Sequence, residues 1–280
     1  MIKYEQEYIA LCNKILQEGV WVENERTGKR CKTIINHDFV YNVGAGEVPI
    51  LTTKQCFTVG AVAEVLGYYR RYTNAQQFAD IGTKTWFANA NDTKAWLANP
   101  NRKGVNDLGK IYGAVVDPQE IQDIYNDLCK GYDNRSEIIQ MYRPEYFQEG
   151  CLKSCAFEHI WSVLDGKLSL TVTQRSCDVP LGLPFNSFSF AFLLKLMAKI
   201  TGNVPDKVYH KLVNVHIYED QVVPLKEQLS RTPLDITPKL SISNWVETLD
   251  DVISGDVHAR EYFTLDGYKH LGKVVFPFSA

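Results

Sequence analysis

The chain has no stretch approaching the roughly 20 consecutive apolar residues that cross a bilayer. Its opening segment, "MIKYEQEYIALCNKILQEG", mixes charge with apolar residues and lacks the uninterrupted apolar core of a signal peptide. Repeats, low-complexity tracts and linkers are missing too, which argues against an array of small modules. Metal-type pairing is absent among the 7 cysteines. "CLKSC" (151–155) is Cys-x-x-x-Cys, but no second Cys/His pair accompanies it, so no metal is expected. Neither sign of charge is in excess: 30 Lys and Arg against 33 Asp and Glu leave a formal net charge of −3. Nucleic acid and anionic membranes therefore meet no attractive global field, and any anion must be held by a local basic cluster. An odd cysteine count without a dense framework points to reduced thiols. The expectation is a soluble, cytoplasmic protein.

What is present is an ordinary globular composition, 45% hydrophobic and 22% charged over 280 residues, enough to bury a sizeable core. Apolar periodicity predicts a helix over 4–18 and another over 57–72, whose apolar face hides one acid, Glu64. "ENERTGKRCKT" (23–33) reads as a polar loop with Gly28 at its tip. The stretch 83–106, rich in Asn and Lys with two tryptophans, reads as an irregular, mostly exposed excursion. A helix over 118–131 closes at Gly131. "SEIIQMY", "FEHIWSVL" and "LSLTV" read as strands, "SFAFLLKLMAKITG" (189–202) as the most apolar helix, and 209–220 as a strand running into a helix. Strands and helices interleave without a strict βαβ rhythm. The expected fold is α+β: a single domain over 1–280 built on a large mixed β-sheet with flanking helices.

The chemistry concentrates in "TQRSCDVPLGLPFN" (173–186), between a strand and the apolar helix. Pro180, Gly182 and Pro184 suit a turn, but a turn does not need Arg175 and Asp178 side by side. Cys155 and Cys177 are each candidates for a nucleophile and each equally readable as inert core thiols. Arg175, Arg135 and Arg26 could supply the positive charge a thiolate needs, and each could equally be a solvated turn residue. Asn186 offers a donor and an acceptor to a base edge, or caps the helix. Asp178 binds a ligand or stabilises its turn. His216 and Tyr218, two apart on a strand, share a face.

In combination these residues resemble the thymidylate synthase family. "QRSCD" and "PLGLPFN" match the family signature, Cys155 precedes it, and His216-x-Tyr218 follows within "VNVHIY". "ERTG" (25–28), "EVPILTTK" (47–54), "DLGKIYG" (107–113) and "DNRSEIIQMYRPEYF" (133–147) resemble further family blocks. The resemblance implies methyl transfer to C5 of dUMP from 5,10-methylenetetrahydrofolate, a co-substrate that is also the reductant. It makes Cys155 the nucleophile adding at C6, Arg175 its charge partner, Glu64 the organiser of proton transfer and Asn186 the reader of the base. Arg26, Arg135, Arg175 and Ser176 would hold the phosphate, with Arg135 donated across a homodimer interface. His216 and Tyr218 would hold the ribose, and Asp178 and Trp86 the folate. Cys177 stays a structural neighbour. Four departures from the family pattern stand out: Ser154 and Ala156 flanking the nucleophile, Ser136 in place of a second arginine, Phe87 in place of an acid, and the terminal "FPFSA". Two of these lie on the folate side, so a dUMP hydroxymethylase, or less readily a dCMP one, is the neighbouring alternative. A non-catalytic nucleotide- or RNA-binding relative is a second.

Overall fold

The computed structural model describes residues 2–24 and 28–278. Helix α1 (Lys3–Glu18) buries Tyr4, Tyr8, Leu11, Cys12 and Ile15 on one stripe, as its apolar spacing requires. Strands β1 (Val20–Asn24) and β2 (Lys29–Tyr41) pair antiparallel, with Glu23 opposite Arg30 and Asn24 opposite Lys29. Most of the described part of the expected polar loop is therefore strand. Its charged residues are tolerated because β1 is an edge strand with its side chains largely exposed.

Helices α2 (Thr58–Tyr69) and α3 (Ala75–Ile81) follow, then two short ones, α4 (Phe87–Asn91) and α5 (Lys94–Leu97). These last two correct the reading of 83–106 as irregular and mostly exposed. Trp86, Ala90 and Trp96 are buried, and the Trp96 indole donates to the Asp107 carbonyl at 2.7 Å. Two large aromatics nail a polar segment to the body, which a count of Asn and Lys cannot reveal. Helix α6 (Pro118–Cys129) starts on an Asp117 cap with Pro118 in its first turn.

Strands β3 (Ile138–Gln140), β4 (Ala156–Leu164) and β5 (Lys167–Asp178) lead into α7 (Gly182–Thr201), and β6 (Val204–Tyr218) into α8 (Val222–Leu229). Near the end, β7 (Lys239–Ile242) and β8 (Phe263–Asp266) pair around α9 (Leu249–Ile253). Among the described residues, six strands form one sheet in the order β1-β2-β6-β5-β4-β3. Only β5 and β6 run parallel, and α7 is the crossover that a parallel pair needs. The expected α+β fold on a large mixed sheet is thus observed. Contrary to the sequence reading, α7 is long and apolar enough to span a membrane, yet 78% of its apolar window is buried inside the protein.

The sheet has two unlike faces. One register row, Phe39–His210–Val172–His159–Ile139, is fully buried. The next row, Val40–Tyr209–Thr171–Ile160–Ile138, points the other way. Val40, Tyr209 and Ile138 in it are exposed. The period of two in a strand enforces this split.

At the N-terminal edge of the core, the fully buried Glu5 carboxylate accepts four hydrogen bonds. They come from the backbone N–H and the hydroxyl of Thr52 and of Thr53, at 2.7–2.9 Å. The carboxylate thereby fixes the 52–54 segment, whose Lys54 amine donates to the Pro180 carbonyl just ahead of α7. Replacing Glu5 by Ala strands those donors in the interior. The expected loss is about 3 kcal/mol, read by denaturant unfolding; a change below about 0.5 kcal/mol would show that the carboxylate does not hold this segment.

Candidate active site

Cys155 stands immediately before β4, half-buried, with its backbone N–H donating to the Tyr112 hydroxyl at 3.1 Å. Arg175 approaches from β5. Its Nε donates to the Ser154 carbonyl at 3.0 Å and its Nη2 to the Lys153 carbonyl at 2.8 Å. Its backbone N–H donates to the Cys155 carbonyl at 2.9 Å. So anchored, Nη2 lies 3.7 Å from Cys155 Sγ, a fixed positive charge beside the sulfur. Cys177, the other candidate, is fully buried, and burial pushes its thiol well up. Only Cys155 has both access and a cationic neighbour.

Arg175, Ser176 and Asp178 are on β5, not in a turn, and this corrects the sequence reading. The alternation of the strand breaks here: Gln174 is buried, Arg175 and Ser176 are both half-open, and Cys177 is buried again. Arg175 reaches Cys155 with both its backbone N–H and its guanidinium. Asn186 is likewise not a cap. It lies inside α7, whose first turn accommodates Gly182 and Pro184, and its Nδ2 donates to Gln174 Oε1 at 3.2 Å.

The parallel register sets Ser176 beside Asn214 and Asp178 beside His216. His216 Nδ1 lies 2.8 Å from Asn214 Oδ1, and the His216 and Tyr218 rings meet edge-on at 5.2 Å. Both are buried, so the surface-pair reading of these two fails. Asp178 accepts from the Gln221 amide at 2.9 Å and from the Leu181 backbone N–H at 3.3 Å. Burial nevertheless pushes its carboxyl up to about 6. Gln221 Nε2 also reaches the Pro277 carbonyl at 3.3 Å, which ties the C-terminal segment to this acid.

Glu64 closes the other side. Tyr68 donates to it at 2.7 Å and Thr85 at 3.2 Å. Burial pushes its carboxyl up to about 7, against bonding from Tyr68 and Thr85. The Tyr68 ring stacks on Tyr112 at 4.1 Å and 3°, and Trp86 meets both edge-on. An aromatic wall thus runs from Glu64 to the backbone of Cys155. Sequence reasoning passed over Tyr112, although it stands in the quoted "DLGKIYG". Its φ of +44° is rare for a bulky residue and marks a held conformation. Gly113 beside it has no alternative, since a Cβ there would sit 1.7 Å from the Tyr68 carbonyl oxygen. Gln174, Lys54 and Gln221 were also missed; nothing local distinguishes them.

Arg135 is exposed in the turn before β3 with φ of +62°, and its own backbone N–H bonds to Asp133. The guanidinium beside the Cys155 sulfur is that of Arg175. Arg26 lies outside the described residues.

An accessible thiol beside a guanidinium, backed by buried acids poised to hold protons, is the equipment of an enzyme working by sulfur attack and proton transfer. The chain belongs to the thymidylate synthase family: the family model described as Thymidylate synthase matches residues 6–280. A thymidylate synthase of Shewanella frigidimarina is 48% identical, covering 98% of this chain and 99% of its own. One from Shewanella loihica is also 48% identical at the same coverage. One from Vibrio parahaemolyticus is 45% identical, again over 98% and 99%.

Because Glu64 binds its proton more tightly in the folded state than at its ordinary value of 4.5, stability falls as pH rises toward about 7. Glu64→Gln carries no such charge. Relative to the parent, that variant gains stability progressively between about pH 4.5 and about pH 7 and is level outside this window. Urea melts across the range read the difference; a pH-independent difference would mean Glu64 ionises as it does in water.

Proposed function

We propose that the chain is a methyltransferase of the thymidylate synthase type, converting dUMP to dTMP with 5,10-methylenetetrahydrofolate as carbon donor and reductant. The observation that carries this reading is the Cys155 sulfur 3.7 Å from Arg175 in a chain of this family. Uracil C5 is a poor nucleophile until a thiolate adds at C6 and turns the ring into an enolate. Cys155 supplies that sulfur, and Arg175 the charge that steadies it and then the phosphate. Ser176, Arg26 and Arg135 complete the phosphate site. His216 and Tyr218 take the ribose, Asn186 the uracil edge, and Asp178 and Trp86 the folate, near the segment Gln221 holds. Glu64, with a carboxyl poised near neutrality, moves protons at the base and the one-carbon bridge.

The whole chain, 1–280, acts as one catalytic domain, which the contiguous hydrophobic core supports. It works as a homodimer, and the apolar row Val40–Tyr209–Ile138 on the uncovered sheet face supports that pairing. Arg135, exposed in the turn before β3, would then serve the partner's phosphate site. A cytoplasmic location fits an odd count of seven cysteines without a dense framework. The hydroxymethylase reading is not favoured, since relatives at 45–48% identity over 98% of the chain are thymidylate synthases. A binding-only role leaves the Cys155–Arg175 pair without a purpose.

With dUMP and methylenetetrahydrofolate, the ultraviolet signal of dihydrofolate should appear, and Cys155→Ser should lower it at least about a thousandfold. A hydroxylated nucleotide without dihydrofolate would overturn the methyl-transfer reading. Arg135→Glu should be inactive alone, yet mixing it with Cys155→Ser chains should restore activity up to about a quarter of the parent's. Half of randomly re-formed dimers would carry one intact site. No recovery on mixing would put Arg135 in its own chain's site or in none.

A further inference from the structure

Behind Asn186 a line of polar side chains runs into the core. Its Nδ2 donates to Gln174 Oε1 at 3.2 Å, and His210 Nε2 lies 2.8 Å from the same oxygen. His210 Nδ1 is 2.9 Å from the Tyr41 hydroxyl, which is 2.8 Å from Ser187 Oγ. Gln174, His210 and Tyr41 are 2%, 0% and 0% exposed. A buried polar chain persists only when its members satisfy one another. Here the direction of the bonds from Gln174 to Asn186, His210 and Tyr41 follows from one end.

Gln174 Nε2 donates to the Ser176 backbone carbonyl at 3.0 Å, and a carbonyl can only accept. The Gln174 oxygen must therefore face His210 and Asn186. That oxygen also only accepts, so His210 carries its proton on Nε2 and Asn186 presents an N–H. His210 Nδ1 is left to accept from Tyr41, while the Ser187 hydroxyl donates to the Leu183 carbonyl at 2.7 Å. Burial, with a smaller push from His159, lowers the His210 ring to about 3, so it stays neutral and keeps this tautomer near neutral pH.

One hydrogen of Asn186 Nδ2 is thus committed to Gln174. Its second N–H and its Oδ1 remain for a ligand, in one orientation. That pair complements the uracil edge, where O4 accepts and N3–H donates. The cytosine edge is the reverse, with N3 accepting and the amino group donating. Reading it would require Asn186 to turn over and set Oδ1 against Gln174 Oε1, two acceptors face to face.

We propose that His210, backed by Tyr41, is a positioning residue for pyrimidine choice: its donation to Gln174 locks the Asn186 carboxamide in the orientation that takes uracil and opposes cytosine. This rests on the reading of the site as a dUMP site. Without the imidazole donor, Gln174 can turn over at the expense of the Ser176 bond alone, and Asn186 can follow it.

The test measures dUMP and dCMP affinity by calorimetry on the full chain and on His210→Phe, Tyr41→Phe and His210→Gln. His210→Phe should cut the dUMP-to-dCMP affinity ratio about tenfold, equivalent to about 1.4 kcal/mol. Tyr41→Phe, which frees the tautomer but keeps the ring, should cut it in the same direction by less. His210→Gln, which retains an N–H donor, should recover part of the ratio. A merely structural histidine would weaken both nucleotides equally, so a ratio within twofold of the parent's in His210→Phe overturns the proposal. Should that variant not fold, an unchanged ratio in Tyr41→Phe overturns it in its place. A parent chain that binds dCMP as well as dUMP would instead overturn the dUMP reading itself, and the proposal with it.

Discussion

The parallel pairing of β5 with β6 is the constraint on which the rest of the site depends. Every other neighbouring pair in the main sheet is antiparallel, so a shift in one of those would leave the two strand ends in place. A shift between β5 and β6 would not. It would part Asp178 from His216 and Ser176 from Asn214, and a slip of one residue would turn the buried row to the other face. The parallel arrangement also forces a long crossover, and α7 provides it while delivering Asn186 above the same strand end. One topological choice thereby brings acid, amide, imidazole and guanidinium to a single edge of the sheet.

Anchoring to backbone is the second theme. Arg175 is held by the carbonyls of Lys153 and Ser154, Asp178 by the Leu181 amide, and Gln174 by the Ser176 carbonyl. Backbone groups cannot rotate away or change protonation, so each such bond gives its side chain one permitted orientation. The cost of holding polar groups in a poorly solvated pocket shows in the acids. Glu64 and Asp178 are both pushed up by burial, to about 7 and about 6, despite hydrogen bonds that oppose it. Acids so placed can hold or release a proton near neutral pH, which chemistry on a pyrimidine ring requires.

Much of this protein is written locally. The amphipathic spacing of α1, the capped start of α6 and the apolar body of α7 follow from a few residues each, because a helix satisfies its backbone within its own segment. The identity of most site residues is legible too, since Cys155, Arg175, Asn186, His216 and Tyr218 stand in recognisable company along the chain. Chemistry that depends on residue type and spacing is determined by the sequence.

Tertiary structure alone decided the rest. Cys155 and Cys177 are equivalent as letters, and only folding sets one beside a guanidinium and seals the other in the core. The break in burial alternation at Arg175 and Ser176 is invisible until β5 has both neighbours. Trp86 and Trp96 turn a polar segment into a docked one, Trp86 against Tyr68, Phe78 and Tyr112 and Trp96 through the Asp107 carbonyl. Tyr41, Gln174 and His210 lie far apart in sequence, and each alone is an unremarked core polar residue. Their meaning arises because hydrogen-bond direction propagates through space, from a carbonyl that can only accept to an amide that has no second choice.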